Sequence, residues 1–326
     1  MLPVLLTIDT EYSAGLFAAG IARDPEESYR RCVGCDTADG PAGIHYQMDV
    51  FDRHGLTATF FVDPMPSLVW GIGPIERIVK PILERGHDVQ LHLHTEWLAL
   101  APDKPWPGKT GQTLADFGYE DQLSLLDYAA GQLMAAGAPM PAAFRAGNYG
   151  ADDATLRALA QLGIRYDTSH APGIPSSACR ISLGSEDIAP VIHHGTLEIP
   201  IGLIGGPRGG ARHAQITALS HSELAAGVRH AREADWPAFV IVSHSFELVN
   251  RRRQLANRIV QRRFERFCEW LGDAARCSTL PFGDLDPDML LRRTQDEVRP
   301  LAPLPHSLPR TAWRMGEQAL ANYLYG

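Results

Sequence analysis

The sequence predicts an α/β fold built on a mostly parallel sheet, and three observations carry the prediction. Short apolar runs of strand composition alternate with helical segments along residues 3–275. The first run, Val4, Leu5, Leu6 and Ile8, has few polar interruptions, as a strand buried on both faces requires. About seven strand–helix units follow one another, which fits a barrel of (β/α)7 type better than an open sheet.

The elements follow in order. After the first strand, residues 13–43 read as a long loop, rich in Gly and Pro, lying over the strand's end. Ile44, Met48, Val50 and Phe51 mark a helix over 44–54 that Gly55 stops. A strand over 57–62 closes on Asp63-Pro64, and a helix over 75–84 contains Pro81. Val89, Leu91 and Leu93 alternate with Gln90, His92 and His94, a strand period that sets both imidazoles on one face. Residues 101–117 read as a loop and 119–136 as a long helix. A short strand over 142–150 runs into a glycine-rich turn. Asp152 or Asp153 caps a helix through 162, and 164–167 is a strand. Further strands are expected at 197–201 and 239–242, with helices over 220–234 and 255–271. Arg258, Arg262, Arg263 and Arg266 read as the solvated side of the last helix. Past 275 the patterning fades, so the expected organisation is a domain over 1–275 and a Pro-rich extension over 276–326, with a helix from Thr311.

Bulk properties exclude several classes. Thirty basic against thirty-eight acidic residues, a net charge of −8, argue against a general nucleic-acid binder. No apolar run approaches the ~20 residues of a membrane span. The chain enters its first strand at once, without a basic leader or cleavage site, so a cytoplasmic location is expected. Five cysteines argue against a disulfide framework, and Cys32 and Cys35 read as a lone pair of loop cysteines.

The chemistry-bearing residues fall at strand ends: Asp9 and Glu11, His92 and His94, Arg145, Asp167 and His244. In parallel α/β folds that is where sites are built. Asp9 and Glu11, two apart on an extended chain, point to one side. Imidazoles and carboxylates suit a divalent ion, zinc first, which can polarise a carbonyl and lower the pKa of water to roughly 7. A carboxylate beyond the ligands can act as base, His244 can protonate a leaving group, and Arg145 can hold a carboxylate. Metal-assisted hydrolysis of an amide or ester would use all of these.

These residues resemble the polysaccharide deacetylases of the NodB-homology type, carbohydrate esterase family 4. Thr7-Ile8-Asp9-Thr10-Glu11 resembles a spaced form of the first motif, and Gly86-His87-Asp88-Val89 leads into the histidines of the second. Phe144-Arg145 to Tyr149-Gly150 resembles the third, Tyr166-Asp167-Thr168-Ser169 the fourth and Val242-Ser243-His244-Ser245 the fifth. The resemblance implies a distorted (β/α) barrel that removes an N- or O-acetyl group from a sugar. It implies Asp9 as base, Glu11 as metal ligand and Arg145 orienting Asp9. It also implies the Tyr149 backbone N–H at the oxyanion, and Asp167 tuning His244 as acid. Three departures stand out. Thr10 separates the acids, and the position four after His92 is Glu96, so the remaining ligand is His94 or Glu96. Asn148 is an extra residue in the third motif. Zinc is the first expectation for the metal, with cobalt or nickel as alternatives, and the expected substrate is an acetylated sugar or glycan intermediate. Competing readings are an amidase, with or without a metal, acting on a non-sugar C–N bond and a silent carbohydrate-binding barrel. Trp97 and Trp106 are candidates for stacking on a sugar ring, whereas Glu247, His193 and His194 read as loop residues.

Overall fold

The computed structural model describes residues 1–101, 106–250, 253–274, 276–295 and 301–325. Parts of the expected 101–117 loop, the 275 boundary and Pro300 lie outside the described residues. The strands of the main sheet are β1 (Leu2–Thr10), β2 (Ala58–Val62), β3 (Asp88–Leu93), β4 (Ala143–Ala146), β5 (Tyr166–Asp167), β6 (Val191–His193), β7 (Thr196–Glu198), β8 (Phe239–His244) and β9 (Cys277–Thr279). The principal helices are α1 (Pro25–Cys32), α2 (Ile44–Arg53), α3 (Gly73–Glu84), α4 (Tyr119–Ala135), α5 (Asp153–Leu162), α6 (His221–Glu233), α7 (Arg258–Gly272), α8 (Pro287–Gln295) and α9 (Leu308–Tyr325).

The sheet runs β8-β1-β2-β3-β4-β5-β7-β6, with β9 also on β1. Every pairing is parallel except the β6–β7 hairpin. The chain after β7 then reaches the outer edge of β8, where Ile201 and Gln215 bridge Val240 and Val242. The sheet therefore curls into the distorted barrel, its far edges joined by irregular backbone rather than by a regular strand.

All nine residues of β1 are buried, and their alternation explains why. Val4, Leu6 and Ile8 pack outward among the helices, while Leu5 faces the barrel interior beside Phe61, Val240 and Val242. Both faces are covered, so the strand reads as a continuous apolar run. The helices are cut by local signals: Asp152 caps α5 and Gly163 ends it at φ +76°, while Ser220 and Glu223 form a capping box on α6.

Three expectations are corrected. The 13–43 segment is not one loop, because it holds the helix α1, capped by Asp24 with Pro25 in its first turn and Glu26 and Glu27 beside it. Cys32 is the last residue of that helix rather than a loop cysteine, Cys35 lies in the loop as expected, and both are buried. Arg263 does not belong to a solvated face: it is 3% exposed and donates to the carbonyls of Ile216 and Thr217 and to Glu317 of α9. The segment from 276 onward begins with β9 on the central strand. It then sends Phe282 into the barrel interior, where its ring meets Phe61 at 5.4 Å. Among the described residues no helix is long and apolar enough to cross a membrane.

Candidate active site

Sheet register assembles the site. Parallel pairing puts Asp9 opposite His244, His92 opposite Arg145, and Asp167 opposite Glu198. The carboxyl ends of β1, β3, β4 and β8 thereby meet at one cavity of about 370 Å3, lined by Asp9, Glu11, His92, His94, Tyr149 and His244, with Ile174 and residues 176–178 as a further wall. That size lies within the range of small-molecule sites.

Asp9 and Arg145 form its floor. Asp9 Oδ1 accepts from Arg145 Nη1 at 2.6 Å, and both side chains are almost fully buried. The guanidinium crosses the Phe61 ring, 4.4 Å from its centroid, and Nε donates to the Thr168 carbonyl. Asp9 Oδ2 faces the His244 ring, with Nε2 at 3.8 Å. One carboxylate oxygen is thus held by a fixed cation while the other is turned toward the cavity.

Glu11, His92 and His94 form a second group whose ligand atoms all lie within 4.8 Å of one another. His92 Nδ1 donates to the Arg145 carbonyl at 2.6 Å, which fixes the tautomer and leaves Nε2 facing Glu11 at 3.2 Å. His94 Nδ1 lies 3.2 Å from Glu96, and its Nε2 lies 2.5 Å from Glu11. Burial works against the charge on Glu11, but the two imidazoles, His94 first, outweigh it and hold the carboxyl well below its usual range. Two imidazole nitrogens and a carboxylate, each imidazole anchored through its other nitrogen, make a donor set that fits a zinc-type ion. Glu96 stands behind His94 rather than beside Glu11. Asn148, the extra residue of the third motif, donates to Glu96 at 3.2 Å and so joins that support.

The 147–150 turn is strained where it meets the cavity. Asn148 and Tyr149 both sit in the left-handed region, at φ +56° and +58°, conformations that cost on the order of 1–3 kcal/mol each. A Cβ on Gly147 would lie 2.7 Å from the Leu93 carbonyl and 2.8 Å from the His94 ring, so only glycine lets the turn close on the second motif. Tyr149 is held at the cavity wall with its hydroxyl buried and without a hydrogen-bond partner.

His244 is not joined to Asp167. The hydrogen bonds of Asp167 go to Ser169 and Glu198, and burial with the neighbouring Asp167 pushes Glu198 well above the usual carboxylate range. The acid on His244 is Glu247, whose Oε1 lies 2.9 Å from Nδ1 and which also accepts from Ser243 and Gln215. Burial opposes charge on the imidazole, yet Glu247, Asp9 and Glu11 together raise it to about 9. In Glu247→Gln, the His244 pKa followed by NMR on metal-free protein should fall by about one unit or more, since one unit is about 1.4 kcal/mol of differential interaction. An unchanged titration would exclude Glu247 as its partner. The folded-state pKa is raised, so this pair's stabilisation is full below about 6.5 and is lost as pH rises through about 9.

Trp97 is also corrected. It is fully buried, packed on Trp70 at 5.2 Å and Phe17 at 5.8 Å, and offers no face to a sugar. Trp106 packs on Tyr128 and does not line the cavity. His193 and His194 turn at the β6–β7 hairpin and both approach Asp153, at 3.3 and 3.2 Å. Asp63, just after β2, joins the group around His94: it accepts from the His94 backbone at 3.4 Å, and burial raises it to about 7. Its signal was the same as for Asp9, an acid closing a buried strand.

No family model and no curated protein matches the sequence. Solved structures do match. A provisionally assigned polysaccharide deacetylase from Mycobacterium smegmatis aligns over 94% of this chain and 95% of its own, at 14% identity and a TM-score of 0.56. In fold, the chain is of the polysaccharide-deacetylase type. A 4-α-glucanotransferase from Thermococcus litoralis aligns over 87% of this chain and 40% of its own, at 12% identity and a TM-score of 0.47. A family 4 carbohydrate esterase from Streptomyces lividans, in complex with acetate, aligns over 85% and 91% at 12% identity and a TM-score of 0.42.

Proposed function

We propose that the chain is a metal-dependent hydrolase that removes an N- or O-linked acetyl group from a carbohydrate. The observation that carries the reading is the meeting, in one cavity, of a buried Asp–Arg pair, a His-His-Glu donor set and a charged histidine opposite the Asp. Glu11, His92 and His94 would hold a divalent ion, zinc first with cobalt or nickel as alternatives, and that ion supplies polarisation of the acyl oxygen and a lowered pKa for water. Asp9 is the base: Arg145 fixes Oδ1, and Oδ2 is placed to take a proton from water. His244, charged at neutral pH through Glu247, gives a proton to the departing amine or alkoxide. The Tyr149 backbone N–H, in its strained turn, serves the developing oxyanion. Asn148, Ser176 and Ser177 at the wall are polar groups suited to sugar hydroxyls.

The test is acetate release from N-acetyl sugars, nucleotide sugars, short acetylated oligosaccharides and simple non-sugar amides, before and after chelation. The expected result is turnover of an acetylated sugar that is lost on chelation and restored by zinc or cobalt. One bound metal equivalent should disappear in the His92→Ala/His94→Ala double variant. Full activity in metal-free protein, or turnover confined to non-sugar amides, would overturn the reading.

A further inference from the structure

The outward half of the C-terminal helix carries no charge. Every exposed position of α9 is uncharged. Two of its three ionic groups turn inward instead: Glu317 accepts from Arg263 at 2.9 Å, and Arg314 lies 3.6 Å from Glu223. A surface helix ordinarily does the reverse.

The exposed arc is large. Leu308 is 75% exposed, Trp313 64%, Met315 59%, Leu320 51%, Tyr323 84% and Leu324 47%. Together these side chains offer on the order of 800 Å2, about what one partner contributes to a standard interface. At about 100° per residue, Ala312, Gly316 and Ala319 run down the middle of the arc with Tyr323 at the C-terminal end of the same row, flanked by Leu308 and Met315 on one side and Trp313 and Leu320 on the other.

We propose that the chain forms a two-fold dimer by packing α9 against α9 of a second copy, with the Ala312–Gly316–Ala319 seam at the contact. The seam decides the occupant. Small residues shorten the distance at which two helices pack, which is otherwise about 8–10 Å. An uncharged patch can also face its own copy without repulsion, as a two-fold interface demands. Beside Trp313 and Leu320 lies a groove of about 720 Å3 edged by Arg258, Arg262 and Arg266, a polar rim of the kind that borders interfaces.

Sedimentation velocity of the full chain across the micromolar range should give a species of twice 35.7 kDa. Gly316→Leu is the diagnostic variant. A Cβ at Gly316 meets no atom within 4 Å, so the single chain accommodates leucine and its melting temperature should not fall. In the dimer the same side chain blocks the seam, and the dissociation constant should rise about 100-fold or more. Leu320→Glu, which places a charge in the arc, should do likewise. A single-copy mass at every concentration overturns the proposal, as does a dimer unchanged in both variants. Flotation of a monomeric chain with phosphatidylserine vesicles, lost in Leu320→Glu, would reassign the arc to a lipid surface.

Discussion

Asp9→Asn should lower the turnover number for acetate release by about 10²–10⁴-fold, the usual contribution of a positioned general base, while metal stoichiometry stays at the wild-type value. The geometry supports the size of the effect. Asp9 is the only carboxylate among the described residues that touches Arg145 with one oxygen and faces His244 with the other. An amide keeps the shape and removes the basic site. Circular dichroism must accompany the assay, because the substitution also leaves Arg145 without its counter-charge. Turnover within tenfold of wild type would mean that another group handles the proton.

Arg145→Ala should destabilise the chain by about 3–5 kcal/mol, the cost of breaking a buried ion pair from one side. Its side chain is 0% exposed, donates to Asp9 and to the Thr168 carbonyl, and lies over the Phe61 ring. Removing it strands Asp9 as a buried carboxylate without its counter-charge. Activity should fall as well. Urea unfolding measures the loss. The double variant Asp9→Asn/Arg145→Met should recover part of it, because replacing both partners with uncharged side chains leaves no uncompensated charge. A single-variant loss below about 1 kcal/mol would show that the pair is better solvated than its burial indicates.

The strand ends were legible because burial and period act locally. An acid or imidazole closing an apolar strand costs free energy unless something uses it, and that holds residue by residue. The same rule points to Asp63, where it was not applied. What the sequence did not reveal lies across space. Glu247 follows His244 by three residues in a turn, and turn spacing does not say which side chains meet. Trp97 was misread because its surroundings, Phe17 and Trp70, come from segments far from it in the chain. Arg263 sits among arginines that do face solvent, and the Ile216–Thr217 backbone together with the return of α9 covers it. Helix α1 carried a start signal at Asp24-Pro25-Glu26-Glu27 that the density of Gly and Pro around it obscured.

The place of β1 in the sheet has a consequence for how the protein is made. Within this sheet β1 is made before the other strands and lies between β2 and β8, and its partners in β8 and β9 are made after the rest of the sheet. Thr7 bonds the Ile241 carbonyl across 234 residues of chain. Closing so long a loop costs entropy before its contacts repay it, so the final docking of β8 should be slow compared with formation of the β1–β2–β3 part of the sheet. The same register pairs Asp9 with His244. Asp9 and His244 therefore come together only in that last closure, and a nascent chain halted before residue 239 would carry Glu11, His92 and His94 without the Asp9–His244 pair.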